Sequence, residues 1–95
     1  MSTKEKSLER VMERPPRKDI EFEEVEKALE MHEFTCVRIH GSHCIFKNKK
    51  YPHIELDSIP MPHGGRKTMR QSYIDKIQTA IEEYNKLENM SDEKE

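Results

Sequence analysis

Residues 34–47 read FTCVRIHGSHCIFK, and the fold turns on how this stretch is paired. Two runs rich in aromatic and β-branched residues flank Gly41-Ser42, a turn signal, so the segment reads as a β-hairpin. A turn at that dipeptide sets His40 opposite His43 and Val37 opposite Phe46. Alternation then gives one face carrying Val37, Ile39, Cys44 and Phe46, expected to be core. The other face carries Arg38, His40, His43 and Lys47, a wet and cationic surface. A slip of one residue would exchange the two faces. Asn48-Lys49-Lys50 is a polar connection, and a third strand is expected over residues 54–59, bounded by Pro52 and Pro60.

Outward from the hairpin, both flanks read as helices. Residues 22–32 place Phe22, Val25, Ala28, Leu29 and Met31 mostly at three- and four-residue steps. Glu21, Glu23 and Glu24 suit the positive end of that helix. Residues 71–87 align Ile74, Ile77, Ile81, Tyr84 and Leu87 on one stripe, leaving Asp75, Lys76, Gln78, Glu82, Glu83 and Lys86 to water. Between the third strand and this helix, His63-Gly64-Gly65-Arg66-Lys67 reads as a flexible basic loop. The order helix, three strands, helix implies an α+β fold, a three-stranded antiparallel sheet with both helices on one face. Residues 1–18 end in Pro15-Pro16, which stop a helix, and are expected to be a flexible leader or a loosely docked turn. The folded unit is expected over residues 19–88, followed by a disordered acidic tail over 89–95.

A chain of 95 residues makes one domain at most. Leu, Ile, Val and Phe supply only 18 of those 95, but a net charge of −2 argues against a self-repelling disordered chain. No apolar run is long enough to span a bilayer. The first 18 residues hold no apolar core of a secretory signal, so Cys36 and Cys44 are expected to be reduced thiols in the cytoplasm. Charge is unevenly spread. Residues 1–33 carry 7 basic against 10 acidic side chains, residues 34–70 carry 7 against 2, and residues 71–95 carry 3 against 7. The middle segment, at +5, also holds four of the five histidines (His40, His43, His53 and His63). Such a segment attracts a polyanion although the whole chain is not basic. The plainer alternative is a solvated sheet face with no partner.

The run Arg38-Ile39-His40-Gly41-Ser42-His43-Cys44-Ile45-Phe46, followed by Ile59-Pro60-Met61-Pro62-His63-Gly64-Gly65, resembles the HicA family of toxin–antitoxin toxins. The resemblance begins near Asp19-Ile20, extends to about Tyr84, and takes in the helix ending at Phe34, the V-R-x-x-G-S-H hairpin, the P-x-P-H-G-G loop and the final helix. It implies a small ribonuclease with a double-stranded-RNA-binding-domain-like fold, cutting messenger RNA without a cofactor. It also implies a HicB-type antitoxin that binds the toxin and covers its RNA-cleaving face. The catalytic histidine of the family falls on His43, directly after Gly41-Ser42. Many relatives have a second histidine next to it; this chain has Cys44.

The transferred role is chemically sound. RNA cleavage can use the ribose 2′-hydroxyl as an internal nucleophile, and an imidazole with a pKa near about 6.5 is suited to take its proton. Cations offset charge on the transition state. Arg38 and Lys47 share the His43 face in the register above, and Arg66 and Lys67 can approach from the loop, so these four are the expected RNA contacts. His40 is a candidate general acid through its cross-strand position alone. His63 reads as structural, and Lys49 and Lys50 as a solubilising turn. A zinc site from Cys36, His40, His43 and Cys44 is disfavoured, because alternation sends Cys44 and His43 to opposite faces and no C-x2-C pair is present. No metal is therefore expected. The competing function is a non-catalytic module of the same fold that binds RNA or an antitoxin.

Overall fold

Gly41 adopts φ 63° at the first position of the two-residue turn, where a left-handed backbone favours glycine. The strands on either side of it organise the molecule. A computed structural model describes residues 3–61 and 68–93. The order is α1 (Thr3–Val11), α2 (Phe22–Glu30), β1 (Phe34–His40), β2 (His43–Asn48), β3 (Glu55–Pro60) and α3 (Gln71–Glu93). The three strands form one antiparallel sheet in the order β1-β2-β3, so β2 is central. The expected α+β architecture is the observed one, with α1 added to it.

Local chemistry sets the ends of α2. The Glu21 amide donates to Glu24 Oε2 at 3.0 Å, and Glu23 and Glu24 occupy the positive first turn. After Glu30 the chain turns sharply through Glu33, at φ 65°, and the Glu33 carbonyl accepts the Lys49 amide at 2.8 Å, tying the start of β1 to the end of β2. Asn48 is buried there. Its Nδ2 donates to the His32 carbonyl at 2.8 Å, and its Oδ1 accepts the amides of Lys50 (3.0 Å) and Tyr51 (2.8 Å). The polar connection after β2 is thus built on one satisfied buried amide side chain.

One face of the sheet meets the helices. Phe34, Cys44, Phe46, Leu56 and Ile59 join Val25 and Leu29 of α2 and Ile74, Ile77 and Ile81 of α3 in a single core. Phe22 and Phe46 rings lie 6.3 Å apart, and Phe34 and Tyr84 rings 6.4 Å apart. At the far end Glu88 accepts from Lys50 Nζ (2.7 Å), Tyr51 (3.2 Å) and Tyr84 (2.7 Å), clasping α3 to the β2–β3 connection. Burial, then the Glu88 carboxylate, pushes the Tyr84 hydroxyl up to about 12.

The N-terminal segment differs from expectation. Residues 3–11 form a helix that packs on α2, with Val11 fully buried and Leu8 and Met12 against the core. Gln78, expected in water, is buried beneath it and donates to the carbonyls of Val11 (2.9 Å) and Glu13 (2.8 Å). Gln78 therefore satisfies carbonyls that the end of α1 leaves open. Three arginines hold this segment down. Arg10 pairs with Glu24 and Asp19, Arg14 with Glu82 (3.0 Å) and Asp75 (3.8 Å), and Arg17 forks onto Asp19 at 2.8 and 2.9 Å. The chain after Leu87, expected to fray, continues as helix to Glu93. Among the described residues no helix is long and apolar enough to cross a membrane.

Two outcomes follow from this packing. Val11→Ala removes two buried methyl groups and is expected to cost about 2 kcal/mol, at about 0.8 kcal/mol per carbon plus a cavity term. Urea denaturation measures it, and an unchanged midpoint would mean that α1 adds nothing to the fold. The Arg17 hydrogen bonds hold the Asp19 carboxyl well below the usual carboxylate range, and Lys50 likewise lowers Glu88. A depressed folded pKa gives stability that is complete above the ordinary value near about 4 and is lost as pH falls through the depressed one. The urea midpoint should accordingly drop on acidification from about pH 4, less steeply in Asp19→Asn, and the difference should shrink in high salt because the pair is exposed. An identical acid limb in the variant would remove Asp19 from this account.

Candidate functional site

Alternation along β2 sorts its side chains. Cys44, Phe46 and Asn48 are buried toward the helices, while His43 and Ile45 are half-buried and Lys47 exposed on the open face. The observed register pairs His40 with His43, Ile39 with Cys44 and Arg38 with Ile45, as the turn at Gly41-Ser42 predicts. His40, His43 and Arg38 consequently share the open face.

One residue further the register changes. A β-bulge falls between Cys36 and Arg38, so that Cys36, not Val37, stands opposite Phe46. The Cys36 thiol donates across the bulge to the Arg38 carbonyl at 3.4 Å. Val37, expected in the core, is 53% exposed. Ile39 lies opposite Cys44 as expected but is 60% exposed, because the helices leave that end of the edge strand uncovered.

The third strand completes a row. His43 pairs with Pro60 on its other side, giving His40, His43 and Pro60 side by side across the sheet. A second bulge puts an extra residue into β3, where Asp57 and Ser58 stand opposite Ile45 of β2 and Ser58 adopts φ 54°. Immediately after β3 the Met61 amide donates to the Ser42 carbonyl at 2.7 Å. The chain returns where Met69 donates to the Ile20 carbonyl at 2.8 Å and Thr68 bridges to Glu21. The Pro-x-Pro motif thus starts against the histidine end of the hairpin. That juxtaposition could be sought in the sequence only by assuming the β2–β3 register.

The expected contacts are not equally near. Arg38 is a diagonal neighbour of His43, about 7–8 Å away between Cβ atoms, within reach of its long side chain. Lys47 lies four residues along β2, about 13 Å at roughly 3.3 Å per residue, and faces Glu55, which weakens its field. Arg66, Lys67 and His63 lie outside the described residues.

The cysteines point the other way. Cys44 is buried beneath the sheet, and desolvation, followed by its contact with Cys36, raises the thiol above the usual range, so it stays protonated and unreactive at neutral pH. Position 44 is a packing position. Cys36 and Cys44 lie on the helix side and His40 and His43 on the open side, so the four do not converge; among the described residues no group of three or more metal-ligating side chains gathers. A groove of about 360 Å³ between β3 and α3 is lined by Glu55, Asp57, Asp75 and Glu83 against the single cation Lys76, a net negative setting that disfavours phosphate.

Residues 22–82, from the start of α2 into α3, match the family described as HicA toxin of bacterial toxin–antitoxin. The chain belongs to the HicA toxin family. The match covers more than half of the sequence and contains the hairpin, β3 and the loop after it; helix α1 precedes it. No curated protein and no solved structure matches the chain. Membership in this family makes the protein a toxin of a toxin–antitoxin system, with an antitoxin as partner.

Since Gly41 fixes the pairing of His40 with His43, Gly41→Ala tests the site through its scaffold. The added methyl meets no atom within 4 Å, so the penalty is that of a left-handed backbone alone, about 1–2 kcal/mol. A denaturant midpoint unchanged from wild type would show that the turn does not depend on the left-handed conformation.

Proposed function

We propose that this HicA-family toxin is a metal-independent endoribonuclease that cuts messenger RNA in the cytoplasm, with His43 as general base. The observation that carries the reading is His43 itself, half-buried on the open sheet face, between His40 and Pro60 and diagonal to Arg38. A half-buried ring has its orientation limited by neighbours yet keeps an edge accessible to a substrate.

In this reading a phosphodiester lies over the open face at the turn end of the hairpin. His43 takes the proton of a 2′-hydroxyl, whose oxygen attacks the adjacent phosphorus. No external nucleophile is required, so proton transfer and charge stabilisation supply the catalysis. Arg38 offsets the charge that grows on the non-bridging oxygens, and its planar fork suits a phosphate. Lys47, a strand-length away, grips a phosphate further along the chain. Arg66 and Lys67 add contacts from the loop. A HicB-type antitoxin silences the toxin by covering this face, and the exposed Val37 and Ile39 of the edge strand offer it apolar surface at the border of that face.

The test is cleavage of RNA by the purified chain in the presence of a chelator. His43→Ala is expected to reduce the rate by about 10²–10⁴-fold while leaving the circular dichroism spectrum and melting temperature close to wild type. Equal rates in wild type and variant would remove His43 from the mechanism, and an inert wild type would remove the activity.

A further inference from the structure

The mechanism above leaves the departing oxygen without a proton. We propose that His40 is the general acid of the cleavage, delivering a proton to the 5′-oxygen as it leaves; this rests on the reading of His43 as the base.

The geometry of the hairpin is the ground for it. His40 and His43 are the last pair before the turn, directly opposite each other on the open face. Cross-strand partners have Cβ atoms about 4.5–5.5 Å apart, which sets two imidazoles side by side with room for one phosphate above them. In-line attack puts the attacking and leaving oxygens on opposite sides of one phosphorus, so the base and the acid must reach it from two positions, as two neighbouring imidazoles can. His40 is also exposed, on an edge strand with no further strand beyond it among the described residues.

The other groups on that face are unsuited to the task. Arg38, two residues along β1, does not release its proton at any working pH. Lys47 and Glu55 stand opposite each other about a strand-length away, and Asp57 sits on β3 beyond β2. Pro60, on the other flank of His43, has no proton to give. Cys44 faces the core, and Tyr51 and Tyr84 belong to the clasp around Glu88 at the opposite end of the sheet. Among the described residues, His40 alone combines a position beside His43 with an imidazole, the side chain suited to donating a proton in such chemistry.

The step balances. His43 accepts the 2′-hydroxyl proton, and the freed electron pair of that oxygen forms the new bond to phosphorus. The bond from phosphorus to the 5′-oxygen breaks with its pair going to that oxygen, which takes the His40 proton. The products are a 2′,3′-cyclic phosphate and a free 5′-hydroxyl, with His43 left charged and His40 neutral until both re-equilibrate with water.

The experiment uses the full-length protein and two versions of an oligonucleotide cut by wild type, one all-oxygen and one with sulfur replacing the 5′-bridging oxygen at the cleaved bond. A thiolate leaves without protonation, so the sulfur substrate does not need an acid. His40→Gln is expected to slow the all-oxygen substrate by about 10²–10⁴-fold and the sulfur substrate by only a few-fold, whereas His43→Gln slows both. The wild-type rate should be bell-shaped in pH, rising as the base loses its proton and falling as the acid does. His40→Gln should keep the rise and lose the fall. Wild-type rates in His40→Gln, or equal slowing on both substrates, would overturn the assignment of His40 while leaving His43 in place. A wild type that cuts neither substrate would bring down the nuclease reading and the His40 role together.

Discussion

The pairing of His40 with His43 across the Gly41-Ser42 turn is the contact on which the rest of the open face depends. Side chains in a sheet alternate with a period of two, so a shift of one residue would turn both histidines toward the helices and bring Cys44 and Phe46 into water. A left-handed Gly41 shortens the connection to two residues and thereby sets the register. The buried side chains of Cys44 and Phe46 reinforce it from below, since only this register places both in the core. Met61 donating to the Ser42 carbonyl then attaches the end of β3 to the same turn. Two motifs far apart in the chain are thus brought to one edge of the sheet by backbone hydrogen bonds.

Charge is sorted between the two sides of this arrangement. The arginines of the N-terminal segment are each tied to carboxylates on α2, α3 or the segment itself, so they fasten α1 to the helical layer rather than adding to the cationic sheet. The positive excess of the middle segment is carried by Arg38 and Lys47 in the hairpin, Lys49 and Lys50 just after it, and Arg66, Lys67 and Arg70. Within the hairpin Arg38 stands closer to His43 than Lys47 does, and Lys47 has Glu55 across from it.

Most of this was readable before any coordinates. The hairpin, its turn, the open-face placement of Arg38, His40, His43 and Lys47, the third strand and both flanking helices all follow from alternation, three-four spacing and one Gly-Ser dipeptide. The departures have specific causes. Val37 left the core because a bulge inserts one unpaired residue into β1, and alternation has no marker for an insertion held by a thiol and a carbonyl. Ile39 kept its predicted partner and is exposed all the same, since cover depends on where the helices end. Gln78 is buried instead of facing water because residues 3–12 pack over it, and neither Leu8, Val11 and Met12 nor a lone glutamine announces burial when read separately.

The sequence by itself determined the hairpin, the third strand and the two flanking helices, the face on which His40 and His43 lie, and the family to which the chain belongs. Those properties rest on local rules: the pleat of a strand, the pitch of a helix and the freedom of a glycine. Tertiary structure alone decided that Pro60 flanks His43, that residues 3–11 are a helix packed on α2 and that Gln78 is buried beneath it. Each of these is a relation between segments distant in sequence, fixed by register and packing, which no local pattern encodes.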